Sequence, residues 1–131
     1  MIYLDSSALL KLLHEESESA ALEGWLTARS GTPVLSSELG RVEVIRACRR
    51  VNSDALPEAR ALLSQLDLIP VTSDVLDLAA ELGDTNLRGL DAIHLATAVS
   101  IRADLSAFVA YDHRLAEAAA AAGLETFAPC A

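Results

Sequence analysis

Apolar residues along this chain follow two rhythms. Short unbroken runs stop at polar residues, and between them apolar positions recur every three to four residues. The first rhythm marks buried strands, and the second marks helices packed by one face. Ile2-Tyr3-Leu4 is the first run. It stops at Asp5, and Ser6 and Ser7 precede a helical stretch over 8–13. Ser17 or Ser19 can cap a second helix reaching about Ala28, in which Trp25 and Leu26 follow Ala21 and Leu22 at helical spacing. The turn Ser30-Gly31-Thr32-Pro33 leads to a short strand, Val34-Leu35. Ser36 or Ser37 is placed to cap the next helix, which starts at Glu38 and runs to about Val51.

Pro57 suits the first turn of a helix over 56–66. An extended piece follows at 68–71, and Pro70 within it predicts a sheet edge. Ser73 can cap a helix over 74–82 that Gly83 ends. Residues 84–89 form a polar loop. The helix over 90–101 has so few polar positions that it should be buried on most sides. A strand over 107–111 ends at Asp112, an Ala-rich helix over 114–122 is closed by Gly123, and 124–127 can form a last short strand. Strands alternating with helices predict an α/β fold with a parallel sheet. No repeat, linker or Pro/Gly-rich boundary divides the chain, so one domain over 1–131 is expected.

Composition narrows the picture. A chain of 131 residues can bury one core. Hydrophobic residues make up 52% and aromatic residues 4%, so that core must be aliphatic. No apolar run is long enough to span a membrane, and the acidic Asp5 follows the start too soon for a secretory leader. Cys48 and Cys130 are far apart and lack metal-ligand spacing, so a reducing cytoplasm is the expected compartment. The formal net charge of −9 opposes a broad nucleic-acid surface, because phosphates attract basic proteins. Two arrangements escape that argument: acids gathered around a metal ion, and a basic partner covering the acidic chain.

Four acids carry the candidate chemistry. Asp5 and Asp112 each end an apolar strand and open a helix. Either one alone reads as a helix cap. Two such acids on one small parallel sheet share a rim, and ligands of open α/β sheets bind outside the carboxyl ends of the strands. Glu43 lies in the helix whose apolar side is Val44, Ala47, Cys48 and Val51; Arg46 and Arg50 share its own side, which taken alone is a solvated ion-pair stripe. Glu38 is the rival acid, off that side. Asp91 opens the buried helix, where the dipole favours an acid, and His94 one turn on reads as a hydrogen-bonded core residue. Carboxylates packed together raise one another's pKa unless positive charge lies between them. Hard divalent cations are the usual answer, and Mg²⁺ takes a few carboxylates while keeping several waters.

In order and in local wording, these residues resemble the acidic quartet of PIN-domain nucleases. Residues 2–9 are similar to the family's opening strand, and 36–47 to its second motif, with Glu43 as the acid and Arg46 its companion. Leu90-Asp91-Ala92-Ile93-His94-Leu95-Ala96-Thr97-Ala98 is the most specific stretch, and Val109-Ala110-Tyr111-Asp112-His113-Arg114-Leu115 is similar to the fourth motif. The likeness spans almost the whole chain. A compact chain of this kind most resembles the VapC-type toxins of bacterial toxin–antitoxin pairs.

That resemblance implies a PIN-like domain, a Rossmann-like α/β/α sandwich on a mostly parallel sheet of four to five strands. It implies a Mg²⁺- or Mn²⁺-dependent endoribonuclease acting on structured RNA such as tRNA or rRNA. A cognate VapB-type antitoxin would silence it, and the family usually forms homodimers. Asp5, Asp91 and Asp112 would bind the metal, with Glu43 a ligand or the orienter of the attacking water; whether one ion or two bind stays open. Ser6 and Ser7 would support the acids from behind or simply cap the helix. Arg46, Arg50 and, less directly, Arg114 would meet RNA phosphates or the antitoxin. One departure stands out: two residues before the fourth acid the family often has Thr or Ser, and this chain has Ala110.

Other classes of similar size fit less well. A phospho-receiver domain needs a lysine at a late strand end, and the only lysine here is Lys11. A phosphatase of the dehalogenase type needs a second aspartate two residues after the first, where this chain has Ser7. A PIN-like scaffold that only binds a partner would not need four intact acids, and an RNA-processing nuclease without an antitoxin stays open. Trp25 is expected in a helix pair, in the core or at an interface.

Overall fold

The computed structural model describes residues 1–130. Five strands make one sheet: β1 (Ile2–Leu4), β2 (Val34–Ser37), β3 (Asp67–Ile69), β4 (Ala107–Val109) and β5 (Thr126–Phe127). All neighbours are parallel, in the order β3-β2-β1-β4-β5. Seven α-helices connect and cover them: α1 (Ser6–Lys11), α2 (Ser19–Thr27), α3 (Leu39–Val51), α4 (Leu56–Gln65), α5 (Ser73–Glu81), α6 (Gly89–Ser100) and α7 (His113–Ala121). Among the described residues no helix is long and apolar enough to cross a membrane.

Side-chain alternation along β1 and β4 divides the core. Ile2, Leu4, Ala107 and Val109 point to one face and pack with Leu9, Leu22, Val44, Cys48, Ala59 and Leu63. Tyr3 and Phe108 point to the other and pack with Leu95, Ala98, Leu115 and Ala119. The fold is therefore an α/β/α sandwich with α1 to α4 on one side and α6 and α7 on the other. Tyr3 and Phe108 stack with ring centroids 5.3 Å apart at the sheet centre.

The chain leaves β1 toward β2 and β3 on one side and returns as β4 and β5 on the other. The boundary between β1 and β4 is thus the topological switch point, where the crevice of an open α/β sheet lies. Leu4 pairs with Val109, and the Asp5 N–H donates to Val109 O at 3.1 Å. The two strand ends that lead to Asp5 and Asp112 are side by side.

Several local expectations need correction. β2 runs through Ser36 and Ser37, and Ser36 does not cap α3; the Ser37 hydroxyl does reach the helix start, accepting from Leu39 N at 3.1 Å. Glu38 occupies the cap position of α3 without a side-chain cap bond, and it pairs with Arg41 at 2.9 Å. Thr72, not Ser73, caps α5 by accepting from Val75 N at 3.2 Å. Neither Ser17 nor Ser19 caps α2; Ser19 is its first residue, and its hydroxyl donates to Lys11 O at 2.7 Å. Val51 is 67% exposed, because α3 ends there, just past its last buried residue, Cys48. The edge placement inferred from Pro70 holds: β3 is an edge strand. Trp25 packs against Phe127 at 5.3 Å beside the opposite edge, with the Arg29 guanidinium 3.9 Å over its ring.

Candidate active site

Asp5 and Asp112 are both helix caps and both lie at the switch point. Asp5 caps α1: its Oδ1 accepts from Ala8 N at 3.0 Å and from Ser7 Oγ at 2.6 Å. Asp112 caps α7 through Oδ1, which accepts from Leu115 N at 3.0 Å. The cap reading and the site reading are therefore compatible. Each cap uses one oxygen, which fixes the carboxylate plane and leaves the other oxygen to the site.

Ser6 and Ser7 do not cap α1, since Asp5 takes that role. Their hydroxyls work across the site instead. Ser7 Oγ donates to Asp5 and accepts from Tyr111 N at 3.0 Å, tying the end of β1 to the segment that carries Asp112. Ser7 thus supplies a hydroxyl beside the Ala110-Tyr111 segment from the neighbouring element. Ser6 Oγ donates to Glu43 Oε1 at 2.5 Å, joining α1 to α3.

His94 completes the link to α6. Its Nε2 lies 2.6 Å from Glu43 Oε1, and its Nδ1 lies 2.7 Å from the Tyr3 hydroxyl. The reading of His94 as a hydrogen-bonded core residue holds, and what it missed is that one partner is an acid of the site; the signal was its position one turn after Asp91 in an otherwise apolar helix. Arg88 was also missed, inside a loop read only as polar. It precedes α6, three residues before Asp91, and its guanidinium spans two acids: Nε is 3.6 Å from Asp91 Oδ2 and Nη2 is 3.4 Å from Asp112 Oδ2.

The charges act on one another. Burial raises the Asp5 carboxyl to about 6, opposed by its bonds from Ser7 and Ala8 N–H, while Asp91 adds repulsion. Asp91 is also raised, first by burial and then by the charge of Asp112, with Arg88 opposing and Glu43 adding a little. Burial pushes Glu43 upward, yet the bonds from His94 and Ser6 outweigh it, and the net shift is downward. Asp91 is the common neighbour of the other three: its charge acts on Asp5, and those of Asp112 and Glu43 act on it. Arg46, Arg50 and Arg114 are exposed and form no ion pair with these acids among the described residues. Arg114 lines a separate open cavity of about 770 Å³ with Asn86, Leu87 and Glu117.

The donor set suits a hard divalent cation: oxygen ligands only, with mutual repulsion that a cation relieves. The arrangement is an open rim with Arg88 across two acids, not a closed cage. Among the described residues no three His, Cys, Asp or Glu side chains form a ready metal cluster.

Known proteins resemble this chain in sequence and in fold. The family model described as PIN domain matches residues 2–121. The chain is 48% identical to Ribonuclease VapC47 of Mycobacterium tuberculosis (strain CDC 1551 / Oshkosh), over 98% of this chain and 97% of that one. It is 44% identical to Ribonuclease VapC35 of Mycobacterium tuberculosis (strain ATCC 25618 / H37Rv), with coverage of 98% and 97%. Among solved structures, it is similar in fold to Mycobacterium tuberculosis VapC20, described as a Sarcin-Ricin loop cleaving toxin. That match has a TM-score of 0.75 and 20% identity, over 98% of this chain and 100% of that one. The Rickettsia felis VapBC2 complex, bound to a DNA fragment from its promoter, matches with a TM-score of 0.76 and 12% identity, over 98% and 99% of the two chains.

Proposed function

The chain belongs to the PIN-domain family, and from that premise we propose that it is a metal-dependent endoribonuclease toxin neutralised by a cognate antitoxin. The observation that carries the reading is the placement of two strand-end aspartates at the switch point, joined there by Glu43 and Asp91 from two helices. The ribonuclease names of its relatives over nearly the whole chain support the RNA-cleaving class.

Asp5, Asp91 and Asp112 would hold Mg²⁺ or Mn²⁺, with Glu43 a further ligand or the group that orients the attacking water. Such an ion supplies an activated water and offsets the charge that develops at phosphorus. The protein's own part is orientation. Asp5 and Asp112 each have one oxygen locked by a helix start, and Glu43 has one locked by Ser6 and His94. Arg46 and Arg50, on the same side of α3 as Glu43, hold a phosphate of the RNA, and Arg114 is a further contact. Structured RNA of the tRNA or rRNA class is the proposed substrate, and a basic segment of a VapB-type antitoxin is the proposed inhibitor. Toxin–antitoxin complexes among proteins of similar fold support that partnership. A cytoplasmic homodimer completes the proposal.

The test is cleavage of total RNA by antitoxin-free protein with Mg²⁺ or Mn²⁺, against EDTA and against Asp5→Asn and Asp91→Asn. Metal-dependent cleavage that both folded variants lose is the expected result. Cleavage that persists in EDTA sinks the metal assignment. Inactivity of folded, metal-loaded wild type on tRNA and rRNA pools sinks the substrate assignment.

A further inference from the structure

Glu43 differs from the other acids in how it is held. Asp5 and Asp112 stand at helix starts, where free backbone N–H groups fix one oxygen of each. Glu43 lies inside α3, where the backbone N–H groups serve the helix. Its orientation has to come from side chains on other elements. Tyr3, His94 and Ser6 supply it in one chain of contacts. The Tyr3 hydroxyl lies 2.7 Å from His94 Nδ1, His94 Nε2 lies 2.6 Å from Glu43 Oε1, and Ser6 Oγ donates to the same oxygen at 2.5 Å. Tyr3 and His94 are 0% and 1% exposed, so the chain runs from the centre of the sheet to the site without solvent.

Donor chemistry fixes the protons. An ionised carboxylate only accepts, so His94 Nε2 carries a hydrogen. The Ser6 proton also goes to Glu43, which leaves a lone pair of its oxygen toward Nε2 at 3.2 Å. Ser36 and Thr97 flank Tyr3, but their hydroxyls donate to Leu4 O and Ile93 O at 2.6 and 2.7 Å. The proton left for the bond between Tyr3 and Nδ1 is the tyrosine's own. In the Nε2–H tautomer Nδ1 is an acceptor and takes it.

We infer that His94 is a positioning residue for Glu43, held by Tyr3 as the Nε2–H tautomer, so that a buried tyrosine on the central strand sets the direction of an acid on α3. The inference rests on the reading of Glu43 as one of the reaction's acids. Partners of this kind change metal affinity or activity by about 10–100-fold when removed.

Two readouts test it on the full chain. The first is ¹⁵N NMR of the imidazole nitrogens at one neutral pH without metal. His94 should carry its hydrogen on Nε2 alone, and Tyr3→Phe, which removes the donor to Nδ1, should shift the Nδ1 resonance while Nε2 keeps its hydrogen toward Glu43. A hydrogen on Nδ1, or on both nitrogens, overturns the inference whatever the activity. The second compares Mn²⁺ binding and RNA cleavage for Tyr3→Phe, His94→Gln and His94→Leu, each shown to be folded by thermal melting. Glutamine keeps an N–H donor for Glu43 and leucine does not. His94→Leu should lose about tenfold or more in Mn²⁺ affinity and kcat, with the KM for RNA unchanged, and His94→Gln should recover part of the loss. Wild-type values in all three folded variants overturn the positioning role. A wild type inert on RNA that still binds Mn²⁺ overturns the substrate reading alone, and the Mn²⁺ series then decides the positioning.

Discussion

Asp5 is 3% exposed, and the fold presses against its charge. Burial lifts its carboxyl from 3.8 to about 6 despite the bonds from Ser7 and Ala8. The folded protein therefore binds this proton more tightly than the unfolded chain does. The resulting stability is fully present below about pH 4 and is lost as pH rises through about 6. At neutral pH the ionised group weakens the metal-free fold by up to about 3 kcal/mol. Asp5→Asn keeps an oxygen for Ser7 and Ala8 and removes the charge. In EDTA near pH 7.5 the variant should resist urea better than wild type by about 1–3 kcal/mol, and the gain should shrink to about a third of that by about pH 4.5 and vanish only below about pH 4. Equal stability at both pH values would mean that the site does not strain this carboxylate. The four acids were legible in the sequence because each sits at an element boundary or in a recognisable stretch. Tyr3, His94 and Arg88 were not, because a tyrosine in a strand, a histidine in an apolar helix and an arginine in a loop have ordinary local explanations. Only the packing of α6 over β1 brings the first two to Glu43.

Elements hold the acids through their ends. The connection from α5 to α6 determines where Asp91 sits, and it turns at Gly83, whose φ is +81°. A Cβ there would lie 3.0 Å from Leu87 Cδ2, next to the residue that spans Asp91 and Asp112. Gly83→Ala should cost about 1–2 kcal/mol from the left-handed backbone alone, with further loss if Leu87 cannot shift. Gly89→Ala is the control: it opens α6 with nothing within 4 Å of the new methyl, so its melting temperature should stay level or rise. Equal losses in both variants would assign the effect to α6 and not to the turn. Gly83, Gly123 and the strand-to-helix alternation were all readable from sequence, because turns and periodicity are local. The ends of β2 and the caps of α2 and α5 were not. Ser36 and Ser37 have cap chemistry, yet pairing with Leu68 and Ile69 keeps them in the sheet, and no local rule registers a partner strand thirty residues away.

The whole molecule carries a charge of −9 and yet is read as meeting RNA. Its basic residues are unevenly spread: Arg41, Arg46, Arg49 and Arg50 all lie on α3, whose acids are few. Arg41 is engaged with Glu38, and Arg46 and Arg50 stand exposed beyond Glu43. On the proposed function, an RNA backbone repelled by most of the surface would reach the acids by way of this helix. Phosphate contacts position nucleic acid without choosing its sequence. The Arg46→Ala/Arg50→Ala double variant should therefore raise the KM for RNA about tenfold, leave kcat within about twofold and cleave the same sites. Its binding should also lose salt dependence, with the slope against log salt falling by about 1–1.5 for two lost contacts to single-stranded phosphates. An unchanged KM together with weakened antitoxin binding would give these arginines to the partner. RNA would then approach the acids from the Arg88 and Arg114 side, and the same salt series on Arg114→Ala would show the drop in slope.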